Sequence, residues 1–283
     1  MANETTSTSL NDLLPSIVAE AMFVASERSI MRGLVKNFTL PMGSGKTITV
    51  PRYPIQSAAA VNEGTDLSNT SVATDGAVLT VGEVGIMTTV TDYARMTSAS
   101  NVIADVGRLF GEAIARKLDK DLLALFSGFS VGVGGANTAM SAALIAQAVA
   151  RLRANSVPGD ALACVVHPYV AYDLKKDLTN TFANPNAGII QNEAMATGYV
   201  GSLFGVPVFE SANISDTDGD SVGAVFHRDA LGLALLQDIR IETERNASLR
   251  ADEVVATAVY GVGELYDGYG VKITADSSLV DPV

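Results

Sequence analysis

A chain of 283 residues, 48% of them hydrophobic, can bury a sizeable core as one large domain or two intertwined ones, which excludes a disordered chain. Its formal charge of −12 excludes an electrostatic grip on nucleic-acid phosphates, which takes clustered Lys and Arg, and suits solubility at high local concentration. No window nears the roughly 20 apolar residues of a membrane span, and the N-terminus lacks the basic region and apolar core of a signal peptide, so synthesis in a reducing cytoplasm is expected.

Residues 1–10 are rich in Ser and Thr and read as a mobile arm. From Pro15 onward, Ile17, Val18, Ala21, Met22, Val24, Ala25 and Met31 predict a helix with a broad apolar surface that Gly33 ends. Residues 46–53 alternate as a strand does, and residues 77–93 are Val- and Thr-rich with Gly82 and Gly85 as bends or bulges. The connection between them, residues 54–76, is built of residues too small and polar to form a core, and a connection this long is expected to project. From Tyr53 through Ala94 there is no Lys or Arg, while Glu63, Asp66, Asp75, Glu83 and Asp92 are acidic. Such an arm needs a complementary partner surface or simply solvates.

The strongest periodicity follows. Val102, Ile103, Val106, Leu109, Phe110, Ile114, Leu118, Leu122, Leu125 and Phe126 recur at steps of three and four and predict a helix from Ser100 to Phe126, stopped by Gly128. At about 1.5 Å per residue it would be roughly 40 Å long, a spine rather than an ordinary globular helix. Its other face, with Asp105, Arg108, Glu112, Arg116, Lys117, Asp119, Lys120 and Asp121, reads as solvated. A Gly-rich link, Gly128 to Gly135, leads to alternating elements. A helix is predicted over Ser141–Ala154, a turn over Val157–Asp160, a buried strand over Ala161–Val166, a short helix over Tyr169–Lys176 and a polar loop over Asn180–Asn192. Strands are predicted at Val206–Glu210, Val222–Phe226, Ile239–Glu244, Val254–Leu265 and Tyr269–Thr274, and the last two are expected to return to the long helix.

Apparent catalytic motifs fail on context. Gly43-Ser-Gly-Lys-Thr47 lacks the first glycine of a phosphate loop, because position 40 is Leu40, and Thr47 enters a strand where such a loop must open a helix; a hairpin turn is the better reading. His227-Arg-Asp229 has none of the companions of a kinase catalytic loop. Asp216-Thr-Asp-Gly-Asp220 misplaces the glycine of a calcium loop, and His227 stands where the bidentate Glu belongs. His167 and His227 have no Cys/His ligand pattern, and the lone Cys164 lies in an apolar run as a small hydrophobe. No catalytic residue, cofactor or metal is expected.

Residues 198–214 contain Leu203-Phe204-Gly205-Val206-Pro207-Val208, a turn followed by a short strand. This segment, with Val254–Lys272 and the tip Glu63-Gly64-Thr65-Asp66, resembles the major capsid proteins of tailed double-stranded-DNA bacteriophages, over about residues 10–275. The resemblance implies an α+β chain of the Hong Kong 97-type fold. Its parts would be an N-terminal arm and helix (1–35), an extended β-hairpin loop with flanking peripheral strands (36–95), a peripheral-domain spine helix (96–135), an axial domain (136–260) and a return strand with tail (261–283). It further implies a structural, non-enzymatic subunit that assembles with itself into pentamers and hexamers of an icosahedral shell enclosing DNA without reading its sequence. Implied partners are a portal, a separate scaffolding protein and a decoration protein, with assembly in the bacterial cytoplasm and no membrane contact. The tip at Glu63–Asp66 is then an inter-subunit contact. Lysine-to-asparagine crosslinking, used by some relatives, is not expected, since residues 53–94 contain no lysine. An encapsulin-like nanocompartment shell, or a nucleotide-dependent enzyme using the Lys46 loop, are the alternatives.

Overall fold

The computed structural model describes residues 30–279 apart from 44, 54–55, 57, 59, 65, 67–70, 73, 94–101, 182–200 and 218. The expected helix before Ile30, most of the polar loop at Asn180–Asn192, and Thr65 lie outside the described residues. In chain order the elements are α1 (Met31–Leu34), β1 (Lys36–Thr39), β2 (Thr47–Arg52), β3 (Asp75–Thr80), β4 (Gly82–Thr91), α2 (Val102–Ala124) and β5 (Gly132–Ala139). There follow α3 (Ala142–Ala154), β6 (Leu162–Val166), α4 (Pro168–Thr181), β7 (Ser202–Leu203), β8 (Val206–Glu210), β9 (Asp216–Thr217) and β10 (Asp220–His227). The chain closes with β11 (Leu231–Asn246), β12 (Ala251–Glu264) and β13 (Gly270–Asp276).

Three sheets result. Four strands run β1-β11-β12-β4, seven belong to a sheet ordered β5-β13-β10-β6-β8-β7 with β9 on β10, and β2 pairs β3 as a separate ribbon. The larger sheet is buried on both faces, which is why β6 reads as an unbroken apolar run. Successive side chains of a strand point oppositely. Ala163, Val165, Ala224 and Phe226 therefore join the core beneath α2, while Leu162, Cys164, Val166 and Val225 join the core under α3 and α4. Phe126, just past the end of α2, ties the first core together, 5.3 Å from the ring of Phe226 and 6.3 Å from that of Phe129. Burying each such side chain contributes roughly 2 kcal/mol.

Four expectations are corrected. First, α1 runs through Gly33 to Leu34 and is ended by the extended backbone of Val35. Second, two residues of α2 exchange faces. Leu109 is 61% exposed and Asp119 is 1% exposed, because Asp119 accepts a hydrogen bond at 3.3 Å from the backbone N–H of Ile30, the N-cap residue of α1. Helix starts leave such donors without intrahelical partners, and a carboxylate from a neighbouring element supplies one. Third, the Gly-rich link becomes strand β5. It pairs in parallel with β13, and Gly134 has φ +77° where a Cβ would lie 2.2 Å from the Thr274 carbonyl oxygen. Fourth, of the two strands expected to return to the long helix only the one within β12 does so, paired with β11 and β4, whereas β13 pairs with β10 and β5 in the larger sheet. The expected division at residue 260 falls within β12.

Candidate assembly surfaces

The β2–β3 ribbon is the root of the connection that was expected to project. Its register pairs Thr47 with Thr80 and Arg52 with Asp75. One face is apolar: Ala77 and Leu79 are buried with Leu40, Val81, Ala234 and Leu265, while Val78 on the other face is 59% exposed. The ribbon crosses directly over β12 because Gly261 lets it. A Cβ there would fall 2.2 Å from the Thr80 carbonyl oxygen. At the outer end, Arg52 donates to the Leu265 carbonyl at 2.9 Å, pairs with Asp75, and sits 6.0 Å from the centre of the Tyr266 ring. This clamp joins the base of the arm to the body.

Beyond Arg52 and before Asp75, every described residue is exposed, including Tyr53, Val61 and Val72. Glu63 and Gly64 form a turn, Gly64 having φ +83°, and Asp66 follows in solvent. The arm thus buries none of its described side chains in its own subunit. The loop at Gly43–Thr47 leads into β2 rather than into a helix, and it joins strands of two different sheets, so it is a connecting turn and not a hairpin.

Leu203–Val208 forms a tight hairpin. Leu203 pairs with Val206, leaving Phe204 and Gly205 as a two-residue turn at φ +54° and +81°, positive at both central positions as a type I′ turn requires. Leu203, Val206 and Val208 are buried in the core under α3 and α4, whereas Phe204 is 52% exposed. A bulky residue in this left-handed region costs about 1–2 kcal/mol.

Two further surfaces flank α2. An open cleft of about 450 Å³ is lined by Glu112, Arg116, Lys120, Ala212 and Asn213, mixing charges of both signs. On the sheet beneath, β4 is an outer strand. Over Gly82–Val90 it carries one charge, Glu83, and no proline, and among the described residues its only strand partner is β12. The opposite margin differs: past Leu235, β11 has two register shifts and the charged residues Asp238, Arg240, Glu242 and Glu244, the usual means of blunting an edge.

Several ionisable groups are tied into the fold. Burial pushes the Cys164 thiol up to about 12, which leaves it un-ionised and unreactive. His167 and His227 are buried, and their Nδ1 atoms accept from the backbone N–H groups of Tyr169 and Asp229. Burial, and then the hydrogen bond to Asp121 at 2.9 Å, raise the Tyr260 hydroxyl. Asp216 begins the two-residue strand β9 rather than a calcium loop, and Gly219 has φ +90° in the turn before β10. Among the described residues no three His, Cys, Asp or Glu side chains are grouped to hold a metal.

The sequence pattern of a phage capsid protein family matches residues 74–273. No curated protein matches the chain. Solved structures do: the capsid of the cyanophage P-SCSP1u has TM-score 0.71 and 20% identity, over 88% of this chain and 89% of that one. A Mycobacterium phage Che8 chain has TM-score 0.67 and 23% identity, over 81% and 85%. The mature capsid of bacteriophage PhiM1 has TM-score 0.69 and 18% identity, over 87% of each. At these identities the likeness is one of fold.

Proposed function

Since the chain belongs to the phage capsid protein family and has the Hong Kong 97-type fold, we propose that it is the major shell subunit, assembling into pentamers and hexamers around phage double-stranded DNA. The observation that carries this reading is the arm. A ribbon whose root is packed and clamped, and whose described outer residues are all exposed, has its contacts elsewhere, and in a structural capsid subunit elsewhere means another copy. Glu63–Asp66 is the part of the arm we assign to a neighbouring subunit. The axial role of the unit around α3 and α4, assembly in the host cytoplasm, and partnership with a portal, a scaffolding protein and a decoration protein belong to the same proposal. The acidic chain supports enclosure of DNA without tight binding to it.

Electron microscopy of the purified protein tests it: closed icosahedral particles are expected, and a monomer at every salt, pH and concentration, with or without scaffold, would sink it. Replacing residues 56–75 by a short Gly/Ser bridge tests the arm. Circular dichroism should be unchanged while closed shells fail to form. Normal shells from that variant would make the arm dispensable.

A further inference from the structure

We propose that the exposed basic flank of α2 is the seat for the acidic arm tip of a second copy of this chain, an inference that rests on the shell-subunit reading above. Among the described side chains of α2, every exposed charge is positive: Arg108, Arg116, Lys117 and Lys120. The acids of the helix are covered or engaged. Asp119 holds the Ile30 N–H, and Asp121 accepts from Lys117 and from the Tyr260 hydroxyl. Arg116 and Lys120 stand four residues apart, on one face and about 6 Å apart along the axis. Both line the open cleft of about 450 Å³ beside Ala212 and Asn213, whose one acid, Glu112, is half-buried. Neither cation has a partner among the described residues, whereas Arg32, Lys36, Lys175 and Arg245 are paired with Asp238, Asp229, Glu210 and Asp92.

Charge and reach select the occupant. A chain of net charge −12 has few places that draw in a negative group, and this flank of α2 is one. The arm is its complement: from Tyr53 through Ala94 it carries no Lys or Arg, and Glu63 and Asp66 lie exposed on either side of the turn at Gly64. Its own subunit does not take these carboxylates up, since both are exposed and the cleft is open. Residues 53–74, doubled back at Gly64, carry the tip about 35 Å from its root at full extension, ample to reach an adjoining copy. Two carboxylates on one turn then face two cations one helical turn apart, a match that fixes partner and register more than it adds affinity. A nucleic-acid strand is a poorer occupant, because its phosphates would also meet the rest of an acidic chain.

The test reverses charge on each side and then on both. Wild type, Arg116→Glu with Lys120→Glu, Glu63→Lys with Asp66→Lys, and the fourfold variant combining them are purified as unassembled subunit. Each is followed by thermal melting, by light scattering against concentration at low salt, and by microscopy of the products. All four side chains are exposed, so the free subunits should melt together. Each two-site variant should need about tenfold more protein to assemble, because like charges then meet, and the fourfold variant should return to within about threefold of wild type. Two-site variants that assemble as wild type does would overturn the proposal and leave the shell reading standing. So would a fourfold variant as defective as either parent, which would give the flank of α2 to a scaffolding protein or to DNA. If the double Glu variant melts lower as free subunit, Arg116→Gln with Lys120→Gln replaces it; about threefold weaker assembly is then expected, and no weakening would overturn the proposal. Wild-type protein that never assembles would overturn the shell reading and this proposal together.

Discussion

Placing a single methyl group at Gly261 tests whether the arm is held as described. In Gly261→Ala the new Cβ would sit 2.2 Å from the Thr80 oxygen, 2.7 Å from its carbonyl carbon and 3.0 Å from the Val81 Cα. All three atoms are main chain, so none can rotate aside, and β3 must withdraw by roughly 1 Å, a cost at the upper end of the overpacking range, about 3 kcal/mol. Ala in place of Gly returns about 0.5–1 kcal/mol of chain entropy. The net loss is about 2 kcal/mol, which for a chain of this size lowers the melting temperature by about 4 °C. Because the displaced ribbon is the root of the arm, assembly should weaken more than stability does. Gly82→Ala, where no atom lies within 4 Å, is the control: it should keep that gain of about 0.5–1 kcal/mol and assemble as wild type does. Thermal melting by circular dichroism and negative-stain microscopy give the two readouts. A Gly261→Ala protein that melts and assembles like wild type would show that β3 does not cross β12 at this glycine.

Burial first, and Asp267 second, hold the Glu264 carboxyl above its ordinary range. A carboxylate raised in the folded state costs stability above that raised value, and the cost disappears as pH falls through it. Glu264→Gln should therefore raise the melting temperature at pH 7 and have little effect at about pH 4; equal gains at both would refute the assignment. Cys164, its thiol pushed up to about 12, should resist iodoacetamide in the folded protein at mildly alkaline pH and react once the chain is unfolded; equal rates in the two states would contradict its burial. With no lysine from Tyr53 through Ala94 and one buried cysteine, assembled particles boiled in detergent should run as a single band near 29.4 kDa rather than as a ladder. Asp119→Ala leaves the Ile30 N–H without its carboxylate and should cost about 1–3 kcal/mol, measured by urea denaturation.

Elements carried by side-chain periodicity were legible in the sequence. Leu144, Ile145, Ala148, Val149 and Leu152 mark the buried face of α3, and all five are buried. The exchange of Leu109 and Asp119 was not legible. Helical spacing says which residues share a face, but not how far along the helix that face stays covered, nor that an orphan N–H waits beside residue 119. β5 escaped notice because Gly132, Gly134 and Gly135 carry no side chains to alternate, and its strand character comes from backbone pairing with β13. The destinations of the last strands escaped for a related reason: apolar alternation predicts that Val254–Leu265 and Tyr269–Thr274 are strands, but partner choice depends on contacts far away in sequence. Of the assembly surfaces, the polar arm was visible in composition. The crossing at Gly261, the Arg52 clamp and the strained Phe204 turn required coordinates, although a two-residue Phe-Gly step between Leu203 and Val206 carries a hairpin signal that could have been read.

Among the described residues, the outer margin of β4 carries no second strand, and that sets a clock on the free subunit. Main-chain donors and acceptors do not read sequence, so the Gly82–Val90 margin, whose only strand partner among the described residues is β12, offers a template to any extended segment that arrives, including the same strand of another copy in the wrong orientation. In the proposed shell, correct assembly and mispairing would draw on the same pool, and raising concentration would speed both. The difference between them lies in reversibility, since a misplaced strand ladder, once several bonds long, is slow to come apart. For a protein made in many copies at once, weak early contacts that can be undone are therefore worth more than strong ones, with tight binding deferred until the neighbours are correctly placed.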